Sequence, residues 1–356
     1  LFFQSRQMSP DEEDLASDLS RCGGEAWGRL QEAVSSTLSV LWEEETGERK
    51  TVTELRSLAY NKDREIRKKA FNLELFAWKS MEIPLSFSIN GVKGFSTILN
   101  KRRHYGSTLE KSTYQARISD KTLSCMIGAM EKALPDFRRY LRAKAKVLGL
   151  KVCSFYDIFA SLGKNPKKWS FQEAEELILT KFYSFSKDLG DLARLAFTNR
   201  WIDAPSKNGK VGGAYCISFP LKKESRILTN FGGAFGDVIT IGHELGHAFH
   251  HHVLKEESYI HRNYPMTLAE TASIFNEGII LEGALSQTHG EEALTILETY
   301  LQETTQVIVD ILSRFYFERE LMARREKAEL SPEELCSMMI ERSEERRVGK
   351  ECRSRW

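Results

Sequence analysis

Apolar residues recur at three- and four-residue spacing along most of this chain, and short Gly, Pro, Ser and Asn clusters interrupt them. That period belongs to helices with one buried face, so the chain is expected to be mostly α. Residues 63–99 alternate charged and apolar positions at helical spacing with one interruption at Pro84, and 119–149 opens on Ser119-Asp120 and closes on Gly149. Both read as helices or helix pairs, since serine caps a helix start and glycine takes up the left-handed turn that ends one. Ser170 with Glu173, and Ser331-Pro332 with Glu334, are capping-box starts of further helices, and 291–327 is one long helix candidate. Two stretches depart from this period. In 37–52, Thr46-Gly47 sits between apolar and β-branched residues like a hairpin turn, and in 212–238 the segments 214–220 and 226–231 have strand character before a Gly232-Gly233 turn. A strand at a sheet edge in that second region could pair an extended peptide by main-chain hydrogen bonds.

With 356 residues and 41% hydrophobic content, the chain can bury a sizeable core in one large domain or two ordinary ones. A formal charge of +1 gives no basic footprint for nucleic acid, and no apolar run is long enough to span a membrane. The start, Leu1-Phe2-Phe3, lacks a signal pattern and lacks methionine, so the natural protein is expected to begin upstream. Cys22, Cys125, Cys153, Cys216, Cys336 and Cys352 are scattered, without a CxxC pair, which points to a reducing, cytoplasmic setting and to small apolar roles rather than ligands or nucleophiles. Residues 342–356, RSEERRVGKECRSRW, shift abruptly to a basic, aperiodic composition. They match the translation of a common short-read sequencing adapter, so the biological chain is expected to end near Glu341.

The chemistry concentrates at 243–247, where His-Glu-x-x-His appears as His243-Glu244-Leu245-Gly246-His247. On a helix, positions i and i+4 share a face, so the two imidazoles can converge on one metal ion while Glu244, offset by one residue, serves as general base toward a water on that metal. A working zinc site needs a third protein ligand. A histidine six residues on is excluded, because His250 stands where that pattern needs glycine and Val253 where it needs histidine. Glu270 is the best third ligand, since it opens an apolar helical run through Ile274, Ile279, Ile280 and Leu281; Glu256, Glu257 and His261 lie in a polar connector that holds geometry less firmly. Glu277, two turns beyond Glu270, is a candidate partner for a ligand imidazole, while His250, His251, His252, His104 and His289 are expected to hold no metal.

With Leu-Thr-Asn-Phe-Gly-Gly-Ala-Phe-Gly-Asp-Val before this motif and Ala-Glu-Thr-Ala-Ser-Ile-Phe-Asn-Glu after it, the sequence resembles oligoendopeptidase F, a branch of the thimet oligopeptidase-like zinc metallopeptidases. The resemblance runs over nearly all of 10–341. It implies a large helical metallopeptidase fold with a small sheet beside the zinc-binding helix, one zinc ion per chain, and endopeptidase action on short peptides, with no nucleic acid or membrane partner. Carried over residue by residue, it places metal ligands at His243, His247 and Glu270, the catalytic glutamate at Glu244 and a substrate-backbone strand at 226–231. It implies an N-terminal helical region at 1–105 and a catalytic region at 106–341, with a His and Tyr group that stabilises the oxyanion further along the family's chains. Two other readings remain open: an exopeptidase, such as a carboxypeptidase, on a similar helical scaffold, and a non-catalytic helical protein that has kept a metal motif.

Overall fold

The computed structural model describes residues 4–160, 162, 167–205, 210 and 213–344. It is 72% helical, as the apolar period predicts, with small sheets. In chain order it has α1 (Pro10–Cys22), α2 (Gly24–Thr37), β1 (Ser39–Glu43), β2 (Glu48–Thr51), α3 (Val52–Ser57), α4 (Arg64–Ser80), α5 (Glu82–Arg102), α6 (Thr108–Ala116) and α7 (Asp120–Val147). Then follow α8 (Phe171–Phe185), α9 (Lys187–Thr198), β3 (Ile202–Pro205), β4 (Tyr215–Phe219), β5 (Glu224–Phe231), α10 (Phe235–Val253), α11 (Met266–Ala269), α12 (Thr271–Leu285), α13 (Gly290–Thr305), α14 (Ile311–Arg325) and α15 (Pro332–Glu344). The chain forms two compact units, one of described residues up to 160 and from Gln302 on, the other Leu162–Leu301. This is a different cut from the 1–105 and 106–341 regions, because compactness groups segments by contact rather than by order along the chain.

In the first unit the expected hairpin forms, with β1 antiparallel to β2. Asp63 caps α4 by accepting the Glu65 N–H at 2.8 Å. The interruption expected at Pro84 falls at Met81, between α4 and α5. Pro84 itself sits in the first turn of α5, where an N–H has no intrahelical acceptor to lose. Ser119 caps the 28-residue α7 by accepting the Thr122 N–H at 3.1 Å. Fully buried Asp157 is neutralised by Arg64 and Arg67, each at 3.0 Å, which ties the segment after α7 to α4. The single helix expected over 291–327 is interrupted by a π-helical turn, Gln306–Asp310. Of the tail 342–356, residues 342–344 end α15, where Arg342 donates to Glu320 at 2.6 Å; the remainder lies outside the described residues.

The second unit is built around α10. Its residues Val238, Ile241, Leu245 and Ala248 are buried among Ile178 and Phe182 of α8, Leu192 of α9 and Ile280 and Ala284 of α12. A helix clad on several sides this way cannot shift without disturbing the whole core, which makes it a rigid base for a site. Beside it lies a three-stranded sheet in the order β3-β5-β4, with β3 parallel and β4 antiparallel to β5. This narrows one expectation. Residues 226–231 were expected to bind substrate backbone, but β5 is the central strand: Ile227 pairs with both Cys216 and Ile202, and Leu228 with both Tyr215 and Asp203. Over 226–228 the main chain is taken on both sides and has no groups left for a peptide, whereas the β4 register ends at Leu228 and does not reach 229–231; among the described residues the outer edge of β4 is also unpaired. The sequence reading missed β3, whose Ile-Asp-Ala-Pro run is too short to carry a period.

Candidate metal centre

The turn into α10 is held by Asp237, whose Oδ2 accepts the N–H groups of Gly232 at 2.8 Å and Ala234 at 3.0 Å. Gly233 takes φ +91°, and a Cβ there would lie 2.8 Å from the Trp169 carbonyl oxygen, so only glycine suits the position. Two helical turns beyond this start, α10 presents His243 and His247 on one face. Their rings stand 4.8 Å apart, nearly perpendicular at 83°.

Glu270 comes from the junction between α11 and α12, where it is the residue ahead of the first turn of α12 rather than part of either helix. Its Oε2 lies 3.2 Å from His243 Nε2 and 3.2 Å from His247 Nε2. Donor atoms of the three residues all lie within 4.8 Å of one another, the one such group of three among the described residues. Two donors bound to one tetrahedral zinc at the usual bond lengths would stand roughly 3.3 Å apart, so the arrangement suits that ion. Two imidazoles and one carboxylate are also a donor set that zinc takes readily.

The approach of α12 to α10 is set by backbone contact. A Cβ on Gly246 would meet Ser273 Cα at 2.5 Å and the Ala272 carbonyl oxygen at 2.6 Å, so the helices could not lie this close with any larger residue there. Buried Asn276 donates to the Gly242 carbonyl at 3.2 Å, and fully buried Ser273 donates to Glu270 Oε2 at 2.7 Å. Glu277 Oε1 lies 2.5 Å from His243 Nδ1. That carboxylate assigns the ring proton to Nδ1 and leaves Nε2, the atom facing Glu270, as a lone pair. Burial is the largest single influence on the His243 pKa and lowers it, but the Glu277 hydrogen bond and the charges of Glu277, Glu244 and Glu270 together outweigh it, and the net displacement is upward. Burial lowers that of His247, whose imidazole also bonds the Ala269 main chain.

Glu244 is 4% exposed, and its Oε2 is buried without a hydrogen-bond partner in the protein. Burial pushes its carboxyl up to about 7, with His243 pulling the other way and Glu270 adding to the rise. A lone buried carboxylate oxygen is costly unless a cation or a donor stands against it, which again suits a metal and its water at this place.

The three histidines that follow His247 on or near α10 are engaged elsewhere. His250 stacks on Tyr264, with ring centroids 4.3 Å apart, and His252 bonds Lys255 at 3.1 Å. His251 Nδ1 faces Ser225 Oγ at 3.3 Å and Cys216 Sγ at 3.9 Å; burial lowers the His251 pKa to about 4 and raises the Cys216 thiol to about 12. Of the rival third ligands, Glu256 pairs with Lys223 at 2.8 Å, and Glu257 with His261 at 3.8 Å, on exposed side chains. The residue-by-residue reading passed over Ser273 and Asn276. Small polar residues occur throughout the chain, and no spacing rule separates these two from the rest.

Two histidines one turn apart, a carboxylate from a second helix and an unpartnered glutamate beside them, on a mostly helical scaffold, define the metallopeptidase class. The chain belongs to peptidase family M3, whose sequence profile matches residues 57–317. It is 27% identical over 248 residues to chromosomal oligoendopeptidase F of Lactococcus lactis subsp. cremoris, covering 69% of this chain and 41% of that protein. Over 309 residues it is 25% identical to oligopeptidase PepF of Bacillus subtilis strain 168, covering 83% of this chain and 45% of that one. Among solved structures, PZ peptidase A with an inhibitor superposes with a TM-score of 0.77 at 18% identity, over 97% of this chain and 61% of that one. Oligoendopeptidase F from Enterococcus faecium does so with a TM-score of 0.69 at 17% identity, over 98% and 57%. The chain thus spans less than half the length of these curated relatives, and its resemblance to the oligoendopeptidase F branch is borne out.

Proposed function

We propose that this chain carries the metal centre of a zinc oligoendopeptidase that hydrolyses internal bonds of short peptides, with His243, His247 and Glu270 holding one zinc ion and Glu244 as general base. One observation carries the reading: both imidazole Nε2 atoms lie 3.2 Å from a single Glu270 oxygen, with the buried carboxylate of Glu244 next to the first ligand. When bound, zinc supplies Lewis acidity, which makes water more acidic and polarises a peptide carbonyl.

The protein's own groups do the rest. Glu277 keeps the His243 proton on Nδ1, so that Nε2 is free to bind. Glu244 accepts a proton from water at its unpartnered Oε2 and returns it to the departing amine, and a carboxyl held near 7 by burial suits both halves of that cycle. The outer edge of β4 is the strand that would read substrate backbone, in place of 226–228, and Tyr215, Ile217 and Phe219 stand exposed on one of its faces. Short peptides, which can lie extended along such an edge, are the substrate class this implies, and a reducing cytoplasm is the setting that the scattered cysteines favour. Among the described residues no helix is long and apolar enough to cross a membrane.

The test is Glu244→Gln, with a quenched peptide blocked at both ends as substrate. The variant should keep one zinc per chain and lose about 100- to 10,000-fold in turnover, because an amide cannot take the proton. Substantial remaining hydrolysis removes Glu244 from the role. Cleavage that requires a free terminus would make the enzyme an exopeptidase.

A further inference from the structure

The Glu270 oxygen that faces both imidazoles is also the one that Ser273 touches. Ser273 Oγ lies 2.7 Å from Glu270 Oε2 and 3.0 Å from the Glu270 carbonyl oxygen. The second contact is the ordinary back-bond of a hydroxyl in the first turn of a helix and calls for no special purpose. The first is different, because Oε2 already stands 3.2 Å from His243 Nε2 and 3.2 Å from His247 Nε2, which makes it the oxygen a metal would take.

Glu270 needs such a restraint. It lies at a helix junction, where its carbonyl accepts the Ile274 N–H at 3.0 Å but its side chain belongs to neither helix face, and that side chain is 48% exposed, more than either histidine at 24% and 18%. Ser273, by contrast, is fully buried, and its Cα is the atom that a Cβ on Gly246 would strike at 2.5 Å. The residue that sets the spacing between α12 and the histidine helix is therefore also the one that holds the carboxylate by hydrogen bond. The position of Glu270 is referred to α10 through one side chain.

We propose that Ser273 is a positioning residue for metal binding: its hydroxyl fixes the rotamer of Glu270 so that Oε2 meets the two imidazoles. The inference rests on the zinc reading of the preceding section and deepens it. Without the hydroxyl the carboxylate rotates freely at a half-exposed junction, and each binding event must order it anew, which weakens affinity without removing a ligand. Loss of a group that orients a metal ligand typically costs about 10- to 100-fold in affinity.

The experiment uses the whole chain, stripped of metal and titrated with zinc against a chromophoric chelator, in four forms: parent, Ser273→Ala, Ser273→Cys and Glu270→Ala. The expected order of affinity is parent above Ser273→Cys above Ser273→Ala, with Ser273→Ala weaker by about 10- to 100-fold and its melting temperature without metal unchanged. The thiol, a poor donor of nearly the right size, covers the case in which alanine fails to fold. Replacing zinc by cobalt gives a second readout, since a loosened carboxylate changes the visible spectrum of the ion. Equal zinc affinity in parent and both Ser273 variants overturns the proposal while leaving the metal site standing. A fall in metal-free melting temperature that accounts for the whole loss of affinity overturns it too, because the role is then structural. Retention of zinc by Glu270→Ala sinks the ligand reading and the inference with it.

Discussion

At the scale of single residues, the site is organised by which oxygen meets which nitrogen. Glu277, at 2.5 Å from His243 Nδ1, decides the tautomer of the first ligand. Glu277→Ala is therefore expected to weaken zinc binding by about 10- to 100-fold, read by chelator competition, with less change in Glu277→Gln, whose amide oxygen still accepts the proton. Parental affinity in both variants would refute this role. His251 gives a pH signature. Its folded pKa is depressed to about 4 by burial, so the unfolded chain binds its proton first as pH falls from the ordinary value of about 6.5. Its contribution to stability is therefore fully present above pH 6.5 and is lost as pH falls toward 4. His251→Phe should flatten the dependence of melting temperature on pH across that window, and identical slopes for parent and variant would show that the ring titrates normally.

At the scale of elements, the centre exists because two helices touch backbone to backbone. Gly246 is the residue that permits it, and Gly246→Ala places a methyl group 2.5 Å from Ser273 Cα and 2.6 Å from the Ala272 carbonyl oxygen, neither of which can rotate away. Relief requires α12 to move outward, which carries Glu270 away from the histidines. The expected cost is about 1–3 kcal/mol of stability, as for other overpacked cores, with a drop in zinc affinity measured on the same samples. If melting temperature and affinity both stay at parental values, the contact is looser than the coordinates indicate. The sheet carries a different lesson. The composition of 226–231 reads as a strand but not as an edge or a centre, since Val-, Ile- and Thr-type residues suit both. Only pairing to β3 and β4 made β5 central.

At the scale of the whole molecule, the chain holds the candidate metal centre yet spans 41% of one curated relative and 45% of another. The family resemblance implies an oxyanion-stabilising His and Tyr group. Losing one such donor typically costs about 100- to 1,000-fold in turnover, so if this chain lacks the group it should cleave a quenched peptide at least that much more slowly than a full-length relative. A comparable rate would mean that the donors lie within it, with Tyr215, Tyr259, His261 and Tyr264 first in line. On the surface, Leu294, Leu297 and Leu301 form one stripe of α13 and are 48%, 43% and 37% exposed. Leu297→Lys is expected to raise solubility and reduce binding of a hydrophobic dye without lowering the melting temperature, and a lower melting temperature would show that the stripe is packed.

The amino-acid sequence by itself determined the helical class, several helix starts and the chemistry of the site. These are local properties: a 3.6-residue period, Ser119, Ser170 and Asp63 as caps, and His243, Glu244 and His247 within one turn and a half of a helix. The choice of Glu270 was legible because its neighbours begin an apolar helix. The tertiary structure alone decided how that carboxylate reaches the histidines, from a junction rather than from within a helix, and which small residues hold it. Asn276 and Gly246 act across about 30 residues of chain, through contacts between α10 and α12 that no spacing rule encodes, and they place the helix start on which Ser273 reaches Glu270 three residues back. The same holds for β5, because the place of a strand in its sheet depends on which partners reach its two edges, and that is settled only when distant segments meet.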